Sequence, residues 1–435
     1  MIKSFFADLL VDPRKLLVAG FLLSLATMGA HVMDCEFVLN DYLFLVLCIA
    51  LLLPLFSLGK VDPVVDITIS NRLALIFLGS SVALVAYNIS QIGAPLLLQK
   101  ILQGESLEKQ YGFYYHHQFK LSFLVWSLFT VLIPMAFFVQ SRWLAVVMVA
   151  WSVIMSTLIQ IKLPFLFGFL YAALLFRLTR RKLRVVPLAI VGALLMLLFV
   201  FVNSTRTSQD LTEATYDVGL SESWSRVDPI VWGPVAYLAT PVANALLTIQ
   251  YEPFRFDIDG ILKVLPAIIV EPMGLRYSTA EKFPRLQYVR WYEASNIIAG
   301  WGHLANNMGV IGMLAFNAGV ASLLVVVARK NFWAQPFLLA FFLVGCRCCA
   351  LYAVEDYFFE PTTLSEFLLL SACFHWSLVN YHAVPLPEVD GIIKPADVPV
   401  APAPVLVASV GTPFSLKMTR RKSPSSPPTG SPPRK

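Results

Sequence analysis

Long apolar runs recur through this chain, and they constrain its fold more than any other feature. A helix needs about 20 mostly apolar residues to cross roughly 30 Å of hydrocarbon. Runs of that kind lie near 16–33, 42–59, 73–91, 121–140, 143–160, 164–178, 185–202, 307–328, 334–351 and 363–381. Composition closes off the soluble alternative. Hydrophobic residues make up 57% of the chain and charged residues 14%, where ordinary soluble domains carry about 45–50% and about 25%. Too few charges remain to clothe a water-facing surface. The pattern predicts an all-α polytopic integral membrane protein of about ten transmembrane helices. The count becomes twelve if Ile230–Leu247, interrupted by Pro234 and Pro241, and the short run Ile261–Val270 both cross. The first run is flanked by Lys3, Arg14 and Lys15 and lacks a small-residue cleavage site. It therefore reads as a retained anchor rather than a signal peptide.

Lys and Arg in short loops set the orientation. Arg177, Arg180, Arg181, Lys182 and Arg184 crowd one end of a run. Lys60, Arg72, Arg142, Arg329 and Lys330 fall on that same side, and the acidic turn Asp34-Cys35-Glu36 falls opposite. Both termini are then cytoplasmic. The chain divides into N-terminal membrane helices (1–202), a large external loop (203–306), C-terminal membrane helices (307–383) and a tail (384–435). The tail holds 12 of the 28 prolines and the basic end Arg420, Arg421, Lys422 and Arg434. That composition cannot bury a core and predicts disorder. An amphipathic segment at 93–120 is expected to lie in the external interface, with Tyr111, Phe113, Tyr114 and Tyr115 at head-group level.

The loop 203–306 concentrates the polar chemistry. It holds 11 of the 27 acidic residues and eight basic ones, interleaved with Trp224, Trp232, Trp291 and Trp301. Arginine forks match phosphate oxygens, and aromatic rings offer stacking surfaces for sugars. A folded, solvated loop is the plainer reading of the same charges. The six cysteines lie mostly in apolar runs and form neither a disulfide framework nor a CxxC pair, so no metal or other cofactor is expected. Arg347, in Gly345-Cys-Arg-Cys-Cys349, stands inside an apolar run and calls for a partner. Glu355 and Asp356 are the nearest acids in sequence.

Three stretches together resemble the O-antigen polymerase (Wzy-type) family of oligosaccharide repeat-unit polymerases. They are Gly93-Ala-Pro-Leu-Leu97 after an early run; Gln160-Ile-Lys-Leu-Pro-Phe165 leading to Tyr171 and the basic turn; and Asn296-Ile-Ile-Ala-Gly-Trp-Gly-His-Leu-Ala-Asn-Asn-Met-Gly-Val-Ile-Gly312 opening a late run. The paired Arg-x10-Gly motifs of some members are not matched, since Gly302 stands one residue too far from Arg290. The resemblance implies a glycosyltransferase of the bacterial inner membrane, acting on its periplasmic face. It would move a growing glycan from undecaprenyl diphosphate onto a hydroxyl of the next lipid-linked unit, in O-antigen or capsule-type polysaccharide and lipopolysaccharide biosynthesis. Its partners would be those lipid-linked oligosaccharides, membrane lipids, a chain-length regulator and a flippase, with no nucleic acid.

Under that resemblance, fixed cations serve the leaving diphosphate and a base serves the acceptor hydroxyl. Arg206, Arg290 and Lys162 are the expected diphosphate-binding residues, with Trp291 and Asn296 as further substrate contacts. Snorkelling or surface pairing is the bland alternative for each cation. Glu293, His303 and Asp210 are the candidate bases, and His303 shares a helix face with Asn307 four residues on. Three competing readings remain. An O-antigen ligase would use the same donor and a different acceptor. A metal-dependent membrane glycosyltransferase would need more than the short Asp34-x-Glu36 turn. A transporter or flippase of lipid-linked sugars would show internal repeats and charged or broken helices at the midplane. No repeat is visible, and external arginines outnumber buried ones.

Overall fold

The computed structural model describes residues 9–59, 61, 65–95, 98, 119–159, 161, 163–179, 220–227, 229–251, 298–329, 335–355 and 357–380. These residues are mostly helical. In chain order the helices are α1 (Pro13–Gly29), α2 (Leu39–Leu52, continued by a 3-10 stretch Leu53–Leu58), α3 (Asn71–Ile92), α4 (Ser122–Ala136), α5 (Arg142–Leu158), α6 (Leu163–Leu178), the single turn α7 (Glu222–Ser225), α8 (Pro229–Tyr251), α9 (Gly300–Arg329), α10 (Pro336–Ala350) and α11 (Pro361–Trp376). Two short strands, β1 (Asp66–Thr68) and β2 (Leu378–Asn380), pair antiparallel with Ile67 opposite Val379. The chain divides into Met1–Val384 and Pro385–Lys435. The expected tail and most of the segment 93–120 lie outside the described residues.

Local chemistry accounts for the helix starts. Asp12 caps α1 by accepting from the Arg14 N–H, with Pro13 at the first helical position. Ser70 and Ser141 cap α3 and α5 in the same way. Pro336 and Pro361 open α10 and α11, where a missing N–H costs nothing. Every apolar run except 185–202, which lies outside the described residues, coincides with a helix. By length and composition three of these helices are able to cross a membrane: Leu39–Leu58, Asn71–Ile92 and Gly300–Arg329. The helices α1, α4, α5, α6, α10 and α11 are apolar but 15 to 17 residues long, about 22–26 Å at 1.5 Å per residue.

Helix α4 is the centre of the bundle. It packs against α3, α5, α6 and α11, and from Ser127 to Ala136 every residue is buried. An all-round apolar helix of that kind belongs inside a bundle. The outer helices differ. Trp143 on α5 is 77% exposed and Ile311 on α9 is 84% exposed, and α2 and α3 turn Leu43, Leu47, Leu75 and Ile76 outward. Apolar faces of that extent are stable against lipid rather than water.

Backbone and side-chain ties gather the helix ends. At one end Val65 N–H donates to Leu178 O at 3.0 Å, Ile69 N–H to Phe138 O at 2.9 Å, and β1 pairs with β2. The Arg14 guanidinium joins them, donating to Leu55 O and Gly59 O at 2.8 Å each while its fork holds the Asp12 carboxylate. At the other end α7 and α8 cover the α1–α2 corner. Trp224 Nε1 donates to Ala30 O at 2.9 Å and Ser221 Oγ to His31 O at 2.5 Å. Trp232, Ala236 and Ala239 pack on Val32, Met33 and Cys35. Gln250 Nε2 reaches Asp41 Oδ1 at 2.8 Å. Contacts to this corner therefore run along α8 from Trp232 to Gln250, while Ala245 meets Gly302 of α9. The run Ile230–Leu247 is thus one continuous helix in spite of Pro234 and Pro241, while Ile261–Val270 lies outside the described residues.

Candidate functional site

The most concentrated polar chemistry in the bundle is a buried ion pair between helices. Arg347, near the end of α10, is 0% exposed and Glu366, in the second turn of α11, is 1% exposed. Arg347 Nη1 stands 3.3 Å from Glu366 Oε2. The same carboxylate oxygen accepts from Tyr171 Oη on α6 at 2.6 Å. Arg347 Nη2 donates to Thr363 Oγ1 at 2.5 Å, and the Thr363 hydroxyl donates onward to Tyr357 O. The guanidinium lies over the Phe167 ring at 4.5 Å and near Tyr357 at 5.5 Å. Its Nε and Nη1 N–H groups make no hydrogen bond among the described residues. Charge and ring stacking therefore hold this arginine more than saturated hydrogen bonding. A buried pair yields little net stability, yet deleting one partner strands the other at a cost of about 3–5 kcal/mol.

This arrangement corrects one expectation. The partner of Arg347 is Glu366, not Glu355 in the following loop, and Asp356 lies outside the described residues. The helical geometry is the reason: Arg347 points sideways into the α6–α11 contact, whereas Glu355 lies past the end of α10. Glu366 was missed from the sequence. The available signal was an acid inside an apolar run, the same signal that singled out Arg347.

The second cluster forms the start of α9. Gly300 N–H donates to Tyr352 O at 2.9 Å and Ala299 N–H to Pro241 O at 3.0 Å. A side chain at position 300 would meet the Tyr352 ring at 2.6 Å, so only glycine permits this approach. Trp301 is fully buried, with Nε1 donating to Ser24 Oγ at 3.3 Å and its ring near Phe21 and Phe44. One turn later His303 and Asn307, 3% and 5% exposed, face each other. The amide Nδ2 lies 3.1 Å from His303 Nε2. The helix then breaks at Gly309, whose φ of 76° belongs to the left-handed side that glycine tolerates. Its remaining 20 residues, 310–329, extend about 30 Å, the thickness of a hydrocarbon core.

Of the residues expected to form the site, only His303 is described. It sits buried beside Asn307, the face-sharing that their spacing predicted. Glu293, Asp210, Arg206, Arg290, Lys162, Asn296 and Trp291 lie outside the described residues. Among the described residues no group of three His, Cys, Asp or Glu side chains is placed to hold a metal ion. Asp34 and Glu36 are both exposed, and burial first, then the charges of Asp34 and Asp41, push the Cys35 thiol between them up to about 12.

The fold and these clusters define a class: an α-helical protein with helices of membrane-spanning length and charge buried among them. No family model, no curated protein and no solved structure matches the chain.

Proposed function

We propose that this chain is a polytopic inner-membrane glycosyltransferase that polymerises undecaprenyl-diphosphate-linked oligosaccharide units at the periplasmic face. In this reading ten helices cross the membrane and both termini are cytoplasmic, with 203–306 outside. The shorter helices cross with local thinning of the bilayer, and α8 lies at the external interface. The observation that carries the reading is the start of α9. The stretch Asn296–Gly312, the part most like the polymerase family, includes a buried turn bearing His303 and Asn307 side by side, then a glycine break, then a helix of spanning length.

The chemistry follows from the groups available. The acceptor hydroxyl oxygen attacks the anomeric carbon of the donor glycan. The bond from that carbon to the diphosphate oxygen breaks, and the electron pair leaves with undecaprenyl diphosphate. The hydroxyl proton passes to a base, for which His303 is suited by a ring already oriented by Asn307; Glu293 and Asp210 are the alternatives. Arg206, Arg290 and Lys162 offset the charge that grows on the diphosphate. Both lipid tails remain in the bilayer while the head groups meet.

The test is deletion in the native host followed by glycan electrophoresis. Loss of the long ladder with a core-plus-one-unit band retained supports polymerisation. Polymer accumulating on carrier lipid, with none on the lipid A core, identifies a ligase instead. Arg206→Ala is expected to abolish the ladder and Arg206→Lys to retain part of it. A normal ladder from Arg206→Ala at normal abundance removes that residue from the site.

A second reading has an observation of its own. A buried Arg–Glu pair and a helix broken at Gly309 are features of carriers, and they favour a flippase for the same lipid-linked sugars. In that case deletion leaves repeat units facing the cytoplasm, inaccessible to a periplasmic glycan-binding probe.

A further inference from the structure

We propose that the Arg347–Glu366–Tyr171 cluster is a positioning device for the His303–Asn307 turn, acting through the loop 351–360. Its catalytic consequence rests on the polymerase reading above; its structural half does not.

Of the loop 351–360, which joins α10 to α11, residues 351–355 and 357–360 are described, and Tyr352, Ala353 and Tyr357 are buried in the bundle. Tyr352 and Ala353 pack on Gly20, in the middle of α1, with the Ala353 nitrogen 3.6 Å from where a Cβ would stand. The Tyr352 ring meets Phe21 edge-on at 6.0 Å. Irregular backbone at that depth needs protein partners for its polar groups, and it has them. Val354 N–H and Glu355 N–H both donate to Leu351 O, at 2.8 and 3.1 Å. Tyr357 O accepts from Thr363 Oγ1 and from Cys348 Sγ.

One side of this loop is held by the ion pair. Arg347 fixes Thr363, which in turn fixes Tyr357 O, while Glu366 and Tyr171 anchor the arginine to α6. The other side holds α9. Tyr352 O accepts the Gly300 N–H three residues before His303. Beyond the glycine break, Phe316 packs on Phe358 and Phe359 at 5.3 and 5.5 Å. The loop therefore touches α9 on both sides of Gly309. The pair sets the loop, and the loop sets the angle between the two halves of α9. Arginine suits this task because its planar fork binds Thr363 and Glu366 while its face stacks on Phe167. Lysine offers charge alone.

The experiment uses the purified full-length protein in lipid nanodiscs. It compares the wild type with Tyr171→Phe and with a double variant, Arg347→Met and Glu366→Gln. Removing both charges together avoids an unpaired buried ion, so the double variant is expected to fold. Amide hydrogen exchange is followed over 298–306, and over 71–92 in α3 as an internal control. Chain extension is measured on the host's own undecaprenyl-diphosphate-linked repeat unit. The expected result is exchange over 298–306 about tenfold faster in the double variant and severalfold faster in Tyr171→Phe, with 71–92 unchanged. Turnover kcat falls at least about tenfold while KM stays within about twofold, since substrate binding is untouched and only the placement of the turn is lost. Arg347→Lys is expected to recover part of kcat. Unchanged exchange over 298–306 in both variants overturns the proposal, as does wild-type kcat in the double variant. If exchange rises as expected but the wild type itself extends no glycan, the polymerase reading falls and the positioning role stands.

Discussion

Two buried arginines, one at an end of the bundle and one inside it, solve the same electrostatic problem in opposite ways. Arg14 grips Asp12, two residues away, through Nε and Nη2 at 2.8 and 2.6 Å, and gives one N–H each from Nη1 and Nη2 to Leu55 O and Gly59 O. Its carboxylate partner is local and held bidentately, and carbonyls in and just after the 3-10 stretch, 41 and 45 residues on, complete the network. Arg347 reaches a carboxylate 19 residues away on another helix, at 3.3 Å, with a tyrosine from a third helix completing the group. The first arrangement is a clasp that caps α1 and ties it to the following helix. The second couples α6, α10 and α11 and leaves Nε and Nη1 without hydrogen bonds among the described residues. The bidentate clasp rests on two neighbouring residues at one helix start, whereas the single contact between Arg347 and Glu366 rests on how two helices pack.

The comparison breaks most sharply on single truncations. Glu366→Ala or Arg347→Ala strands a charge deep in the bundle and is expected to cost about 3–5 kcal/mol, read as loss of accumulated protein in membranes. Equal accumulation of wild type and both variants would show that the pair is solvated. Arg14→Ala also strands a buried carboxylate, that of Asp12, but Asp12 keeps the position-14 N–H it caps, so the cost is expected at the low end of that range, about 3 kcal/mol. Thermal unfolding in detergent ranks the two sites. Tyr171→Phe removes one hydrogen bond to a charged group, worth about 1.5–3 kcal/mol at most, and keeps the ring packed. Its melting temperature should therefore fall between those of Arg14→Ala and wild type or match the former. Arg14→Lys is the mildest, about 1 kcal/mol, since charge persists and only the fork is lost. If Arg14→Lys proves as damaging as Arg14→Ala, geometry rather than charge carries the clasp.

How much of this was legible beforehand differs between the same two places. Asp12-Pro13-Arg14 reads directly as a helix start, because a cap, a proline and its bonded partner are neighbours in the chain. Arg347 was legible as a problem, a charge in an apolar run, but its solution was not. The choice among Glu355, Asp356 and Glu366 depends on how α10 rotates against α6 and α11, and periodicity says nothing of rotation between helices. His303 and Asn307 were legible as a pair because four residues bring side chains to one helix face. That both are buried, and that Gly300 rests on Tyr352, depends on a loop more than 40 residues further along.

The sequence by itself determined the class of this protein. Apolar runs too long and too uniform for a water-facing surface force helices, and nearly every described helix follows them. Their backbone bonds form within each segment, so local composition suffices. Tertiary structure alone decided the partners: which acid neutralises Arg347, that α8 packs on the α1–α2 corner despite its prolines, and that Tyr352 and Ala353 sit at the depth of Gly20. Those outcomes minimise unpaired charge and exposed backbone over the whole bundle at once, and no single segment carries that information.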